Sequence, residues 1–172
     1  MLVAQAQNRD VIALGDLYAQ YREAVTRYLS RLVGNAHDAD DLTAETFVKV
    51  FQAIEQFHQR GLPLSAWVYR IAHNVAMDHF RAADRAQRLS LVLQPRSVAN
   101  SPSAEDEALT VIAHRKMLTK LHELPAAQRD VLVLVFVHAL SNREVARVLG
   151  KSEGSVKATR HRALKTLQRN AA

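Results

Sequence analysis

The chain has no cysteine in its 172 residues. Disulfides, thiolate metal sites and cysteine nucleophiles are therefore excluded, and a reducing compartment is compatible with the sequence. Glycine and proline are scarce, at five and four residues, and aromatics make up only 6%. Such a composition suits packed helices. No stretch of about 18 apolar residues runs uninterrupted, so no membrane-spanning helix is expected. The N-terminal MLVAQAQNRDVIALGDLY lacks a basic segment followed by an apolar one, and export is not expected. The chain does hold 48% hydrophobic and 23% charged residues, the proportions of a folded soluble protein. A cytoplasmic protein is expected.

The net charge of +6 is concentrated at one end. Between Ser141 and Ala172 stand Arg143, Arg147, Lys151, Lys157, Arg160, Arg162, Lys165 and Arg169 against Glu144 and Glu153, and the rest of the chain is neutral. Clustered lysine and arginine gain from phosphate neutralisation and counterion release, which points to a polyanion at that end. Between Leu93 and Leu109 the sequence reads QPRSVANSPSAEDEA. That stretch has too little apolar surface to offset the entropy of ordering, and reads as a flexible linker.

Apolar residues at helical spacing fill the first lobe. Leu14, Leu17, Tyr18, Tyr21, Val25, Tyr28, Leu29 and Leu32 form a stripe that ends at Gly34, a helix C-cap. A second helix is expected from AHDADDLTAETFVKVFQAIEQF, capped by Asp38, with Leu42, Phe47, Phe51 and Ile54 inward. A third begins near Leu64 or Ser65 and buries Trp67, Ile71 and Val75, after a turn marked by Gly61 and Pro63. The second lobe starts near Ile112 with VIAHRKMLTKLHEL, and Pro125 opens its next helix. The β-branched run Val131 to Val137 lacks period-two alternation and is expected to be helical.

Further on, Ser141 caps NREVARVLG, Gly150 supplies a left-handed turn, and Ser152 or a near neighbour caps the next helix. In that helix Val156, Ala163, Leu164 and Leu167 share one face, while Lys157, His161 and Lys165 share another. Two helices joined by a short glycine turn form a helix-turn-helix, whose second helix enters the DNA major groove. Arginine and lysine there can pair with guanine edges, and serine with a base or phosphate.

On these residues the string LPAAQRDVLVLVFVHALSNREVARVLGKSEGSVKATRHRALKTLQR resembles region 4 of bacterial sigma factors. The pieces that carry the likeness are Leu124-Pro125, Gln128-Arg129, Leu132, Leu134, Leu140-Ser141, Glu144-Val145-Ala146, Leu149-Gly150, Gly154-Ser155-Val156-Lys157 and Arg162-Ala163-Leu164. The first lobe is similar to region 2 of the same family, DADDLTAETFVKVF to region 2.2 and AWVYRIAHNVAMDHFR to regions 2.3 and 2.4. With only regions 2 and 4 recognisable, the chain resembles the extracytoplasmic-function (ECF, group IV) class. The resemblance implies an all-α fold of two small helical domains, residues 11–88 and 111–170, joined by a linker over 89–110. It also implies a dissociable specificity subunit of RNA polymerase, which directs the core enzyme to promoters and helps to open them, and which is not itself an enzyme.

The same resemblance implies roles for particular residues. For the minus-35 element, Lys157, Ala158 and His161 meet base edges or lie close to them. Ser155 and Arg162 make phosphate or mixed contacts, Arg143 and Lys151 position phosphates, and Arg160 is a further DNA-binding candidate, at a position where relatives often carry an apolar residue. For the minus-10 element the candidates are Arg60, Tyr69, Arg70, His73, Asn74, Arg81 and Arg85, because unpaired bases need stacking, a pocket and cations along the backbone. Core polymerase, through the clamp helices of its beta prime subunit, would meet a polar rim of Asp38, Asp40, Asp41, Glu45 and Thr46 over apolar support from Leu42 and Phe47; the beta flap is a further contact. A cognate anti-sigma factor is also implied. It could hold the chain at the inner membrane face without direct membrane insertion. The acidic Glu105, Asp106 and Glu107 would suit a nucleic-acid mimic in the RNA exit path.

Three rival readings fit less well. A ligand- or phosphate-sensing regulator would show a sensing-domain pattern in the first lobe, and a protein-interaction adaptor would not need the basic helix. For an enzyme, no nucleophile, metal set or phosphate loop is present. His73 and His79 stand six apart, off one helix face, so no cofactor or metal is expected.

Overall fold

The computed structural model describes residues 2–58, 62–93, 121 and 123–169, with the side chains of 87–93 excepted. Arg60, residues 94–110 of the expected linker with its acidic residues, and the segment 112–120 lie outside the described residues. Those described are helical and contain no strand. None of their helices is long and apolar enough to cross a membrane.

Helix α1 (Leu2–Gln7) is a short element that periodicity did not indicate. It buries Ala6, and the Gln7 side-chain amide donates to the carbonyls of Ile54 and Phe57 at 3.2 and 2.7 Å. Helix α2 (Val11–Val33) starts at Asp10, whose carboxylate accepts from the Ala13 N–H, and ends at Gly34 with φ 72°. Leu17, Val25, Tyr28, Leu29 and Leu32 are buried, whereas Tyr18 of the same stripe is exposed. Tyr18 lies edge-on to Phe47 of the next helix, at 4.8 Å between ring centroids.

Helix α3 (Ala36–Ala53) is capped by Asn35 rather than Asp38. The Asn35 carbonyl oxygen accepts from the His37 N–H, and its amide donates to Asp38, which therefore sits inside the first turn. Both residues suit a helix start, and asparagine took the cap because the chain leaves the αL glycine only one residue earlier. A 3-10 turn, Ile54–Gln56, ends α3, and helix α4 (Leu64–Leu93) follows. Helix α4 buries Ala66, Trp67, Val68, Ala72 and Val75, with Trp67 tilted against Phe57 at 5.0 Å. It continues past residue 88 into the stretch expected to be linker.

In the second lobe α5 (Ala126–Leu132) has Pro125 at its N-cap. The apolar run is helical as expected, but Val133–Val137 takes a π-helical turn. Its last bond runs from the His138 N–H to the Val133 carbonyl at 3.2 Å. The bulge leaves Phe136 exposed and forces Ala139 to φ 52°, a left-handed conformation that costs an L-residue about 1–2 kcal/mol. Ala139→Gly is expected to raise stability by about 0.5–1 kcal/mol net of the extra freedom of unfolded glycine, measured as a higher urea midpoint at unchanged slope. Helices α6 (Asn142–Leu149) and α7 (Glu153–Arg169) complete the lobe.

Candidate nucleic-acid and partner interfaces

The α6–turn–α7 unit is built from local signals. Ser141 accepts from the Glu144 N–H and Glu144 accepts from the Ser141 N–H at 2.7 Å, a full capping box. Gly150 takes φ 62° and its N–H donates to the Ala146 carbonyl. Ser152 then caps α7 by accepting from the Ser155 N–H at 3.2 Å. Val145, Val148, Val156, Thr159 and Ala163 are buried, which turns Ser155, Lys157, Ala158, His161 and Arg162 to solvent on one helix surface. Arg143 and Lys151 are exposed beside it. Lys157 is paired with Glu153 at 2.9 Å, and that bond, the larger cause, together with the ammonium charge holds the Glu153 carboxyl below its usual range.

Arg160 does not join this surface. It is half-buried, its guanidinium lies over the Phe136 ring at 5.6 Å, and it donates to the Asn142 side chain at 3.3 Å. It ties α7 to the start of α6 and to the π turn. Its place in the expected reading set is corrected accordingly: Phe136, left exposed by the bulge, gives the cation a face to stack on.

On α3, Asp40, Asp41 and Glu45 are exposed, with Val48 beyond them 53% exposed, and Asp38 is half-buried. Leu42 and Phe47 are buried beneath, as support. Thr46 is corrected from the rim to the interior: it is fully buried and its hydroxyl donates to the Leu42 carbonyl at 2.7 Å.

On α4, Arg70, Asn74, Arg81 and Arg85 are exposed and Arg81 pairs with Asp78 at 3.1 Å. His73 is half-buried, with Nδ1 3.0 Å from the Tyr28 hydroxyl. Tyr69 departs from expectation, being 4% exposed and covered by the second lobe. Its hydroxyl and His138 Nδ1 share a hydrogen bond of 2.5 Å, and the two rings lie 4.4 Å apart. The His138 ring is also edge-on to Tyr28 at 5.5 Å. Arg70, His73, Asn74, Met77, Asp78 and Arg81 of α4, with Arg147, Val148, Leu149 and Gly150 from α6 and its turn, line one cleft of about 610 Å³. No group of three or more histidine, aspartate or glutamate side chains is placed to hold a metal ion among the described residues.

Burial sets the electrostatics of this contact. Desolvation, assisted by Lys151, lowers His73 to about 4, and desolvation, assisted by Arg31 and Arg27, lowers His138 to about 4. Desolvation raises Tyr69 to about 12 and Asp130 to about 6. The histidines' contribution is intact above their ordinary value near 6.5 and is lost as pH falls from there toward 4. Asp130 works in the opposite sense below about 6, but it is one group against two. The thermal midpoint is therefore expected to fall between pH 7.5 and 5, and to fall less in His138→Gln.

Composition gave no sign of the Tyr28, Tyr69 and His138 cluster. The only available signal was a set of polar rings inside otherwise apolar stripes, and such residues are as often satisfied core groups.

Comparison with known proteins matches residues 17–86 to the Sigma-70 region 2 family and residues 114–167 to the Sigma-70, region 4 family. The chain is 36% identical over 170 residues to the ECF RNA polymerase sigma factor BldN of Streptomyces coelicolor, covering 98% of this chain and 64% of that protein. It therefore spans somewhat less than two thirds of that relative. It is 32% identical over 171 residues to the ECF RNA polymerase sigma factor SigD of Mycobacterium tuberculosis, covering 97% of this chain and 81% of that one. Among solved structures it is similar to CnrH in complex with the cytosolic domain of CnrY, with a TM-score of 0.72, 28% identity, and coverage of 99% of this chain and 94% of that one.

Proposed function

Because the chain belongs to the ECF RNA polymerase sigma factor family, we propose that it binds core RNA polymerase, directs it to specific promoters and assists their opening. The observation that carries this reading is the pairing, in one chain, of an exposed basic recognition helix with a second helical lobe that offers an acidic ridge and a cationic helix face. A helix-turn-helix alone binds DNA; the two further surfaces add a polymerase and an unpaired strand.

In this reading α7 lies in the major groove at the minus-35 element. Lys157, Ala158 and His161 face base edges, and Ser155, Arg162, Arg143 and Lys151 fix the register on phosphates. Arg70, His73, Asn74, Arg81 and Arg85 of α4, with Arg60 ahead of it in the sequence, take the opened minus-10 strand. Asp40, Asp41 and Glu45 dock on the polymerase clamp helices over Leu42 and Phe47, and the beta flap meets region 4. The chain needs no catalytic centre of its own. It works in the cytoplasm, held inactive by an anti-sigma factor; support comes from CnrH, a relative by structure solved with the cytosolic domain of CnrY.

Promoter mapping after induced expression tests this reading. Occupied sites are expected to share two short motifs at a fixed spacing, upstream of new transcript starts. Sites with a single motif and no new starts would instead favour a helix-turn-helix regulator.

A further inference from the structure

The buried residues of the reading helix α7 are Val156, Thr159 and Ala163, none of them large. Small side chains make shallow ridges, and these leave the roll of a helix about its own axis loosely fixed. Arg160 stands at the border of that buried strip. At about 100° per residue it lies about 60° from Ala163 on one side and about 60° from Lys157, of the reading surface, on the other.

Two contacts from different elements hold Arg160 there. Its Nη1 donates to Oδ1 of Asn142, the first residue of α6, at 3.3 Å, and its guanidinium carbon lies 5.6 Å from the centre of the Phe136 ring. That ring is within reach where the chain leaves the α-helix. Val133–Val137 winds as a π turn, Phe136 stays 55% exposed, and Ala139 takes φ 52°. Single π turns recur at functional positions, and a left-handed alanine persists only where its surroundings impose it.

We propose that Arg160 is a positioning residue for minus-35 reading: clamped between Phe136 of the π turn and Asn142 of α6, it sets the roll of α7 and so the angle at which Lys157 and His161 meet base edges. That role rests on the minus-35 reading of α7. A planar guanidinium can stack on a ring and donate from its edge at the same time, which suits it to such a clamp. A roll of about 20° moves a side-chain tip, about 6 Å from the helix axis, by about 2 Å, more than a base-edge hydrogen bond tolerates. Phosphate contacts through long, flexible side chains absorb a shift of that size. Loss of the clamp therefore costs discrimination between sequences rather than general affinity for DNA.

The test uses the full chain and two duplexes, one carrying the upstream motif recovered by promoter mapping and one with that motif scrambled. Arg160→Met keeps an apolar stem and removes the cation, and Phe136→Leu removes the aromatic face. Phe136 is exposed, so the second variant keeps the test decisive should the first fail to fold, which circular dichroism shows. Each is expected to weaken binding of the motif duplex by about 5- to 10-fold and to leave the scrambled duplex and the salt slope unchanged. The double variant should lose no more than either single one, because both remove the same contact. Equal losses on the two duplexes, a loss in only one of the two variants, losses that add in the double variant, or no loss in either would overturn the role. Failure of the minus-35 reading itself would show differently, as an unsubstituted chain that binds the two duplexes equally, and would remove the proposal with it.

Discussion

A chain carrying Asp41→Lys and Glu45→Lys together is expected to lose core polymerase affinity by about 100-fold or more, with its fold intact. Both carboxylates are exposed on α3, one turn apart, above the buried Leu42 and Phe47. Truncating one partner of a desolvated charge pair at an interface costs about 2–5 kcal/mol, and reversal sets like charges against each other in addition. Neither residue supports the helix strongly. Asp41 lies 3.7 Å from His37 and Glu45 is 2.8 Å from Lys49, and exposed pairs of this kind contribute at most about 1 kcal/mol. Pull-down or anisotropy titration with core polymerase reads the loss, and circular dichroism shows whether the helix survives. Undiminished binding would reduce the α3 acids to a helix-start role, which Asp38 in the first turn already fills.

The second large effect belongs to α7. Lys157→Ala is expected to weaken binding to a matched minus-35 element by about 10- to 100-fold, since a well-placed pair with a base edge discriminates by about 1–3 kcal/mol. Mismatched elements should change little. In the free chain the Lys157 ammonium is held by Glu153 at 2.9 Å, an exposed link that salt and DNA can both displace. Arg143→Ala provides the contrast. As a phosphate positioner it should weaken every sequence alike and reduce the salt slope by about one unit. Parallel titrations of matched and mismatched duplexes at two salt concentrations separate the two patterns. An equal loss on both duplexes for Lys157→Ala would remove its reading role.

What could be read from the sequence was what short-range chemistry decides. Ser141, Gly150 and Ser152 each act within a few residues of their own position, and all three behave as their residue types require. Trp67 lies in the core against Phe57, as a large apolar ring on the inward face of α4 requires. Where two local signals compete, residue type alone does not choose between them: Asn35 and Asp38 are both good caps, and the tight exit from Gly34 selects the first. The π turn escaped because its cause is not periodic. An extra residue is fitted between Leu132 and Leu140, at the expense of a left-handed alanine and an exposed phenylalanine.

Contacts between lobes were the least legible. Tyr69 and His138 lie 69 residues apart in the chain and belong to different lobes. Nothing near either residue marks it as the other's partner. Arg160 shows the same limit at shorter range, since its direction was decided by Phe136 and Asn142 rather than by its own place on α7. The three candidate surfaces could thus be located from residue type and spacing, whereas their availability could not.

In the proposed function this chain gives core polymerase its promoter specificity. Reconstituted transcription tests it most directly: purified chain plus core polymerase, on a template carrying a mapped two-motif promoter and on a control with the minus-10 motif scrambled. A discrete start is expected on the first template only, absent without the chain and lost with the Asp41→Lys, Glu45→Lys variant. Transcription that requires another sigma factor, or starts equally on both templates, would contradict it.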